Sequence, residues 1–157
     1  LSKCPISEPP ENLEEALSVY KQNLRKIVSL CRSRQQKVLM LTQPTLYGKY
    51  MPEELRKVLW AHINEKAAYT EETLAFLVDA YNEAMVQVCR DEEVDCIDLA
   101  SLLPKNNRTF YDDCHFNVSG CERVADILHD YFLTVLSPQL SPCQAGMERK
   151  GIKNEGT

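Results

Sequence analysis

The sequence predicts an α/β protein with a parallel β-sheet. Two short apolar runs, residues 38–42 and 94–98, each lie between segments with helical periodicity. Parallel strands are buried on both faces, so they read as continuous apolar runs instead of alternating ones. Such strands alternating with helices are typical of α/β layer structures. A loop that carries Asp112, Asp113 and His115 follows the second run.

Composition limits the classes of function. The chain has 157 residues, of which 44% are hydrophobic and 26% charged. This length is enough for one domain core and not for two. The formal net charge of -5 argues against a nucleic-acid partner, which would need a basic face. No apolar run approaches the roughly 20 residues of a membrane span, so none is expected.

The first part of the chain predicts a connector, a helix and a strand. Residues 1–11 are polar and rich in proline and are predicted to be a connector. Asn12 followed by Glu15 resembles a capping box that starts a helix. The helix extends to about residue 34, because apolar residues repeat on one face at steps of three and four: Leu13, Leu17, Tyr20, Leu24, Ile27, Val28 and Cys31. The run at 38–42 then predicts a buried strand, which Pro44 ends.

The middle of the chain predicts further helices and the second strand. Pro52 can open a helix through Trp60, although residues 45–68 can also be partly irregular. Thr70 starts a clearer helix, and its apolar stripe is interpreted as core: Leu74, Leu77, Val78, Tyr81, Met85 and Val88. The run at 94–98 predicts the second strand.

A last helix and a polar tail are predicted after the Asp/His loop. Ser119 and Glu122 form a capping box that starts this helix. Residues 12–136 are therefore predicted to be part of a single α/β domain. Residues 137–157 are polar and contain Pro, Gly and Lys, which predicts a disordered tail.

Two strands are too few for a stable sheet. The chain also begins with Leu1 and not with Met. Both observations lead us to expect that residues 12–136 are the C-terminal part of a domain whose N-terminal strands are missing. The seven cysteines include no Cys-x-x-Cys pair and do not indicate a compartment, and Cys31 and Cys89 are interpreted as small apolar residues on helical faces.

The strongest chemical signal is the spacing of Asp112 and His115. A histidine general base needs a carboxylate at Nδ1, so that Nε2 faces the nucleophile. A separation of three residues in a turn lets both side chains face the same side. The loop follows a strand and precedes a helix, which places it at the carboxyl edge of a parallel sheet, where α/β folds have their sites. Asp113 is expected to point away, into solvent or the following turn.

Two other kinds of site were considered. Cys114, His115, Cys121 and His129 have the right side chains for a metal site, but their spacing matches no standard zinc pattern. A cysteine hydrolase would pair His115 with Cys114 or Cys121. Adjacent side chains do not easily meet, and Cys121 in a first helical turn is expected to be structural.

The run from Asp112 to Gly120, Asp-Asp-Cys-His-Phe-Asn-Val-Ser-Gly, resembles the final conserved block of the SGNH (GDSL-type) esterase/lipase family. Residues 20–27 and 38–44 are similar to the fourth helix and strand of that family, and residues 96–99 to the strand before its catalytic loop. The resemblance covers roughly residues 12–136. It implies a three-layer α/β/α fold of the flavodoxin-like type.

By this resemblance, His115 would be the general base and Asp112 its orienting acid. The reaction would be hydrolysis of a small-molecule ester through a serine acyl-enzyme, without a metal or organic cofactor. The Gly-Asp-Ser nucleophile block of the family, its oxyanion glycine and its Gly-x-Asn-Asp segment have no counterpart in this sequence. We therefore expect a hydrolase whose base is supplied by this chain, which alone would be inactive. The alternative is a non-catalytic α/β interaction module that is a degenerate relative.

Overall fold

The structure, a computed structural model, describes residues 6–59 and 69–136. Its elements in chain order are α1 (Leu13–Ser33), β1 (Leu39–Leu41), α2 (Glu53–Arg56), α3 (Glu71–Asp91), β2 (Asp95–Ile97), α4 (Leu99–Leu102) and α5 (Val118–Tyr131), followed by a π-helical turn, Phe132–Leu136. Trp60 and the predicted tail, 137–157, lie outside the described residues. The chain divides into two compact units, Leu1–Val124 and Ala125–Thr157. All residues of the candidate site belong to the first unit.

The two predicted strands are present and pair in parallel. Leu39 lies opposite Asp95 and Leu41 opposite Ile97. The amide of Thr42 continues the ladder by donating to the carbonyl oxygen of Ile97 at 3.1 Å. The predicted α/β class and the parallel pairing are therefore confirmed, whereas three layers are more than this two-stranded sheet shows.

The two long helices pack on one face of β1. Met40 points into a cluster with Leu24 and Val28 of α1 and Val88 and Cys89 of α3. Val28 and Val88 are fully buried. On the opposite face, Leu39 and Leu41 are only half-buried, so the expectation of a strand buried on both faces is not met. Residues of α1 and α3 thus cover one face of the sheet, whereas Ile27 of the predicted α1 stripe is exposed.

Two ion pairs join α1 to the C-terminal end of α3. Arg25 donates to the carboxylate of Asp91 at 2.8 Å, and Arg32 donates to Glu92 at 2.8 Å. These side chains are largely exposed to solvent, so the two pairs contribute little to stability. Part of the basic charge of α1 is therefore used to hold two helices together.

Of the three helix starts predicted from capping side chains, those at Asn12 and Thr70 are met in position, and the one at Ser119 is not. The side chain of Thr70 accepts from the amide of Thr73, as its position before α3 predicts. Asn12 lies at the start of α1, but its side chain makes no capping hydrogen bond. Before α5, Asn117 and not Ser119 is the cap, because its Oδ1 accepts from the amide of Gly120 at 2.9 Å.

A second core lies beneath the Asp/His loop. Its buried members come from the segment after β1, from α3 and from the loop itself: Leu46, Tyr47, Met51, Leu59, Ala75 and Phe110. Of the region 45–68 that the sequence left open, the structure describes residues 45–59, and these contain one short helix, α2. The segment from Thr42 to Met51 is therefore largely packed into the protein, with Tyr50 exposed.

Candidate active site

The carboxyl ends of the two strands are tied together by side chains. The hydroxyl of Thr42 donates to Asp98 at 2.8 Å and accepts from the amide of Ala100 at 2.9 Å. Hydrogen bonds from Ser101 and Thr42 hold the pKa of Asp98 below its ordinary value, against the opposing effect of burial. Asp98 also caps α4, a helix that the sequence did not predict. These bonds fix the point at which the chain leaves β2 toward the Asp/His loop.

The Asp/His loop is closed on itself by backbone hydrogen bonds. Phe110 and Phe116 form an isolated antiparallel bridge, and the amide of Tyr111 donates to the carbonyl oxygen of His115 at 3.1 Å. One step further out, the amide of Asn117 donates to Thr109 at 3.0 Å. The rings of Phe110 and Phe116 also contact each other, with centroids 5.3 Å apart. The loop is therefore a compact turn, although it contains no regular strand.

The structure brings Asp112 and His115 into direct contact. Nδ1 of His115 lies 2.9 Å from Oδ2 and 3.0 Å from Oδ1 of Asp112. Oδ1 also accepts from the amides of Cys114 at 3.0 Å and of His115 at 2.8 Å. The carboxylate is thus held by the backbone of its own turn while it contacts the imidazole.

This contact determines what the imidazole can do. A carboxylate accepts hydrogen bonds, so this contact favours the neutral tautomer with the proton on Nδ1 and the lone pair on Nε2. The side chain of Asp112 is 9% exposed, whereas that of His115 is 54% exposed. The ring of Tyr111 stacks on the imidazole at 5.7 Å between centroids. The arrangement is an oriented base: a buried acid fixes the ring, and the ring is accessible to solvent.

Asp113 is buried, and the expectation that it reaches solvent is wrong. Its exposed fraction is 1%, and its carbonyl oxygen accepts from the amide of Leu46 at 2.8 Å. Burial raises the pKa of the Tyr47 phenol, and the charge of Asp113 raises it further. The side chain of Asp113 also interacts with the phenol oxygen of Tyr47 as a hydrogen-bond partner, which favours the protonated phenol. Asp113 therefore packs the loop against the segment after β1.

The close approach of the loop to the first turn of α5 explains why a glycine stands at position 120. A Cβ at this position would lie 2.0 Å from the carbonyl oxygen of Thr109 and 3.1 Å from Cβ of Phe116. Real Cβ atoms do not approach a carbonyl oxygen so closely. The first turn of α5 therefore reaches the base of the Asp/His loop only with glycine at position 120.

Cys114 has the wrong chemistry for a nucleophile paired with His115. Burial and the charges of Asp112 and Asp113 raise the pKa of its thiol, so the reactive thiolate is disfavoured. Its Sγ lies 3.8 Å from Nδ1, the nitrogen that contacts Asp112, and a nucleophile would need Nε2. The structure argues against a cysteine hydrolase built on Cys114.

The fold and the site place the chain among α/β proteins that hold an acid–histidine pair at the carboxyl end of a parallel strand. The family model of the GDSL-like lipase/acylhydrolases matches residues 3–128, and the chain belongs to this family. No curated protein matches the chain, and no solved structure does. Within residues 6–59 and 69–136, no helix is long and apolar enough to cross a membrane.

Proposed function

We propose that the protein is a carboxylic-ester hydrolase in which His115 is the general base and Asp112 orients it. The observation that carries this proposal is the contact of both Asp112 oxygens with Nδ1 of His115, at 2.9 and 3.0 Å. Membership of the GDSL-like lipase/acylhydrolase family supports the reaction class. The substrate class is a small-molecule ester.

The proposed reaction follows the logic of serine hydrolases. Nε2 of His115 accepts the proton of a serine hydroxyl as the oxygen attacks the ester carbonyl, and Asp112 stabilises the imidazolium that forms. The imidazolium then protonates the leaving alcohol, which leaves an acyl-serine. A water molecule, deprotonated by the same nitrogen, releases the acid and restores the serine.

The nucleophile is proposed to come from a Gly-Asp-Ser segment, which this sequence does not contain. In this proposal the chain supplies the acid and the base, and another part of the complete protein supplies the serine and the oxyanion donors. The three-layer α/β/α architecture belongs to the same proposal, because the strand that carries the serine would extend the sheet formed by β1 and β2.

Labelling with a fluorophosphonate tests this mechanism, because such a probe reacts with a serine only when a base activates it. The complete protein that carries this chain is expected to be labelled on one serine, and His115→Ala to lose the label. His129→Ala is the matched control, because the side chain of His129 is exposed and contacts Asp130. Equal labelling of the His115→Ala protein would refute the assignment of the base.

A non-catalytic interaction module is the competing outcome. The absence of a Gly-Asp-Ser run from these residues is the observation that favours it. A complete protein that is not labelled and does not hydrolyse p-nitrophenyl acetate, although it is folded, would establish this alternative.

A further inference from the structure

Three side chains with different metal-binding atoms meet in the Asp/His turn. One ligand atom each from Asp112, Cys114 and His115 lies within 4.8 Å of the other two. Sγ of Cys114 is 3.8 Å from Nδ1 of His115, and Nδ1 is 2.9 Å from Oδ2 of Asp112. Sulfur, imidazole nitrogen and carboxylate oxygen are the three protein ligands of zinc.

Two of the three separations between ligand atoms, sulfur to nitrogen and nitrogen to oxygen, are close to those of a tetrahedral zinc site. Zinc bonds of about 2.3 Å to sulfur and about 2.0 Å to nitrogen and oxygen place a sulfur and a nitrogen ligand roughly 3.6 Å apart, and a nitrogen and an oxygen ligand roughly 3.3 Å apart. The corresponding distances here are 3.8 and 2.9 Å. Each differs by a few tenths of an ångström, which small side-chain rotations can supply.

The turn is organised for binding before an ion arrives. The amides of Cys114 and His115 fix Oδ1 of Asp112, and the bond from Tyr111 to the carbonyl oxygen of His115 closes the backbone. The imidazole is half-exposed and Cys114 is partly exposed, so an ion can enter from solvent. Three ligands leave the fourth position of zinc for water.

We propose that Asp112, Cys114 and His115 bind a zinc ion and that this ion inhibits the hydrolase. The inhibitory consequence rests on the proposed function, whereas the binding of zinc does not. The predicted site differs from the four residues considered from the sequence, since it uses Asp112 and does not use Cys121.

The position of the imidazole proton explains the inhibition. Zinc takes the position of the proton on Nδ1, and the neutral imidazole then carries its proton on Nε2. The thiol of Cys114 loses one proton to solvent, and no atom is oxidised or reduced. Nε2 now bears a hydrogen and has no lone pair in the ring plane to accept the serine proton. Bound zinc would therefore switch off the base.

The three ligand types also predict which metal ions bind to the site and inhibit hydrolysis. Zinc and cobalt(II) accept mixed sulfur, nitrogen and oxygen ligands. Magnesium and calcium prefer oxygen ligands only, and the site offers one carboxylate. Zinc is therefore expected to bind and inhibit, and magnesium at the same concentration is expected to do neither.

Cobalt(II) absorption tests the site directly, because a cobalt–thiolate bond produces a charge-transfer band in the near ultraviolet. The band is expected on adding cobalt to the complete protein, and zinc should remove it. Cys114→Ser should weaken binding at least about tenfold, since even outer-sphere partners of metal ligands are worth 10–100-fold. Cys121→Ser is the matched control, because Cys121 is an exposed free cysteine and should leave the band unchanged.

A second measurement needs no substitution. Zinc should slow the alkylation of Cys114 by iodoacetamide, measured by mass spectrometry of the peptide, and should not slow that of Cys121. Equal cobalt binding by the two serine variants, or alkylation of Cys114 that zinc does not change, would overturn the site.

The inhibitory role has its own readout. Hydrolysis of p-nitrophenyl acetate by the complete protein should fall on adding zinc and recover on adding a chelator, and the Cys114→Ser protein should require at least about tenfold more zinc for the same loss. Zinc that binds without reducing hydrolysis would overturn the inhibitory role. If instead the chelator-treated His115→Ala protein hydrolyses the ester normally, the proposed function fails, while the cobalt result stands independently.

Discussion

The backbone amide of Leu46 donates a 2.8 Å hydrogen bond to the carbonyl oxygen of Asp113. This bond joins the segment after β1 to the turn that carries Asp112 and His115, two regions far apart in the sequence. Leu46 is 1% exposed, and Phe110 in the same core is equally buried. The loop that carries the acid–histidine pair is therefore held against a packed hydrophobic core.

Asp112→Asn is predicted to remove most hydrolytic activity of the complete protein while leaving it folded. An amide can accept through one oxygen only and no longer favours the tautomer with its proton on Nδ1, so kcat should fall by about 10³- to 10⁴-fold. The measurement is kcat for p-nitrophenyl acetate in the presence of a chelator. Asp95→Asn is the control, because Asp95 is exposed on β2. An unchanged kcat for Asp112→Asn would show that the acid does not orient the base.

Gly120→Ala is predicted to destabilise the protein, because the new methyl group would meet the carbonyl oxygen of Thr109 at 2.0 Å. Overpacking of this kind costs typically about 1–3 kcal/mol, and the helix or the loop must shift to relieve it. Urea unfolding gives the free energy. Gly48→Ala is a matched control, since a Cβ at Gly48 has nothing within 4 Å. Equal stability of the two variants would contradict the close approach of α5 to the loop.

Tyr47→Phe is predicted to make stability less sensitive to alkaline pH. The folded pKa of the Tyr47 phenol is raised, chiefly by burial and then by Asp113, whereas the unfolded value is about 10. Below pH 10 both states are protonated. Above it the unfolded state loses the proton first, so the wild-type protein loses stability as pH rises toward the folded pKa.

Urea unfolding between pH 8 and about 11, just above the unfolded tyrosine pKa, checks this prediction. The wild-type protein should lose more stability over this range than Tyr47→Phe. The control is Tyr50→Phe, because Tyr50 is 86% exposed and its substitution should leave the wild-type slope unchanged. Parallel curves for wild type and Tyr47→Phe would show that the phenol is not protected from ionisation.

Val28→Ala is predicted to lower the free energy of unfolding by roughly 1.5–3 kcal/mol, because the side chain is fully buried between α1, β1 and α3. Val19→Ala on the same helix is the control, since Val19 is 50% exposed. Chemical denaturation measures both. A small and equal effect for the two valines would contradict the packing of α1 on the sheet.

Sequence patterns predicted the elements that depend on local order. The runs around Leu39–Leu41 and Asp95–Ile97 are strands. The predicted apolar stripes are met only in part: Leu24, Val28 and Val88 are buried, whereas Ile27 is 51% exposed. The three-residue spacing of Asp112 and His115 also sufficed to bring the two side chains into contact, because a single turn spans it. These features are set by neighbours in the chain.

Features that depend on distant partners were not predicted. Asp113 is expected from the sequence to point into solvent or the following turn, but it is buried, with its carbonyl oxygen bonded to the amide of Leu46. The sequence predicts the start of α5 at Ser119, yet Asn117, two residues earlier, caps it by accepting from the amide of Gly120. Gly120 was part of the recognised run, but its reason, the approach of Thr109, requires the folded loop.

The central claim is that His115 is the base of an ester hydrolase, and the most direct measurement is kcat of the complete protein after His115→Ala. Hydrolysis of p-nitrophenyl acetate should be followed with chelator present, beside wild type and His129→Ala, with circular dichroism to verify folding. We predict a loss of at least about 10³-fold for His115→Ala, because the serine would lose its proposed general base. We predict no loss for His129→Ala. A folded His115→Ala protein with unchanged kcat would contradict the claim.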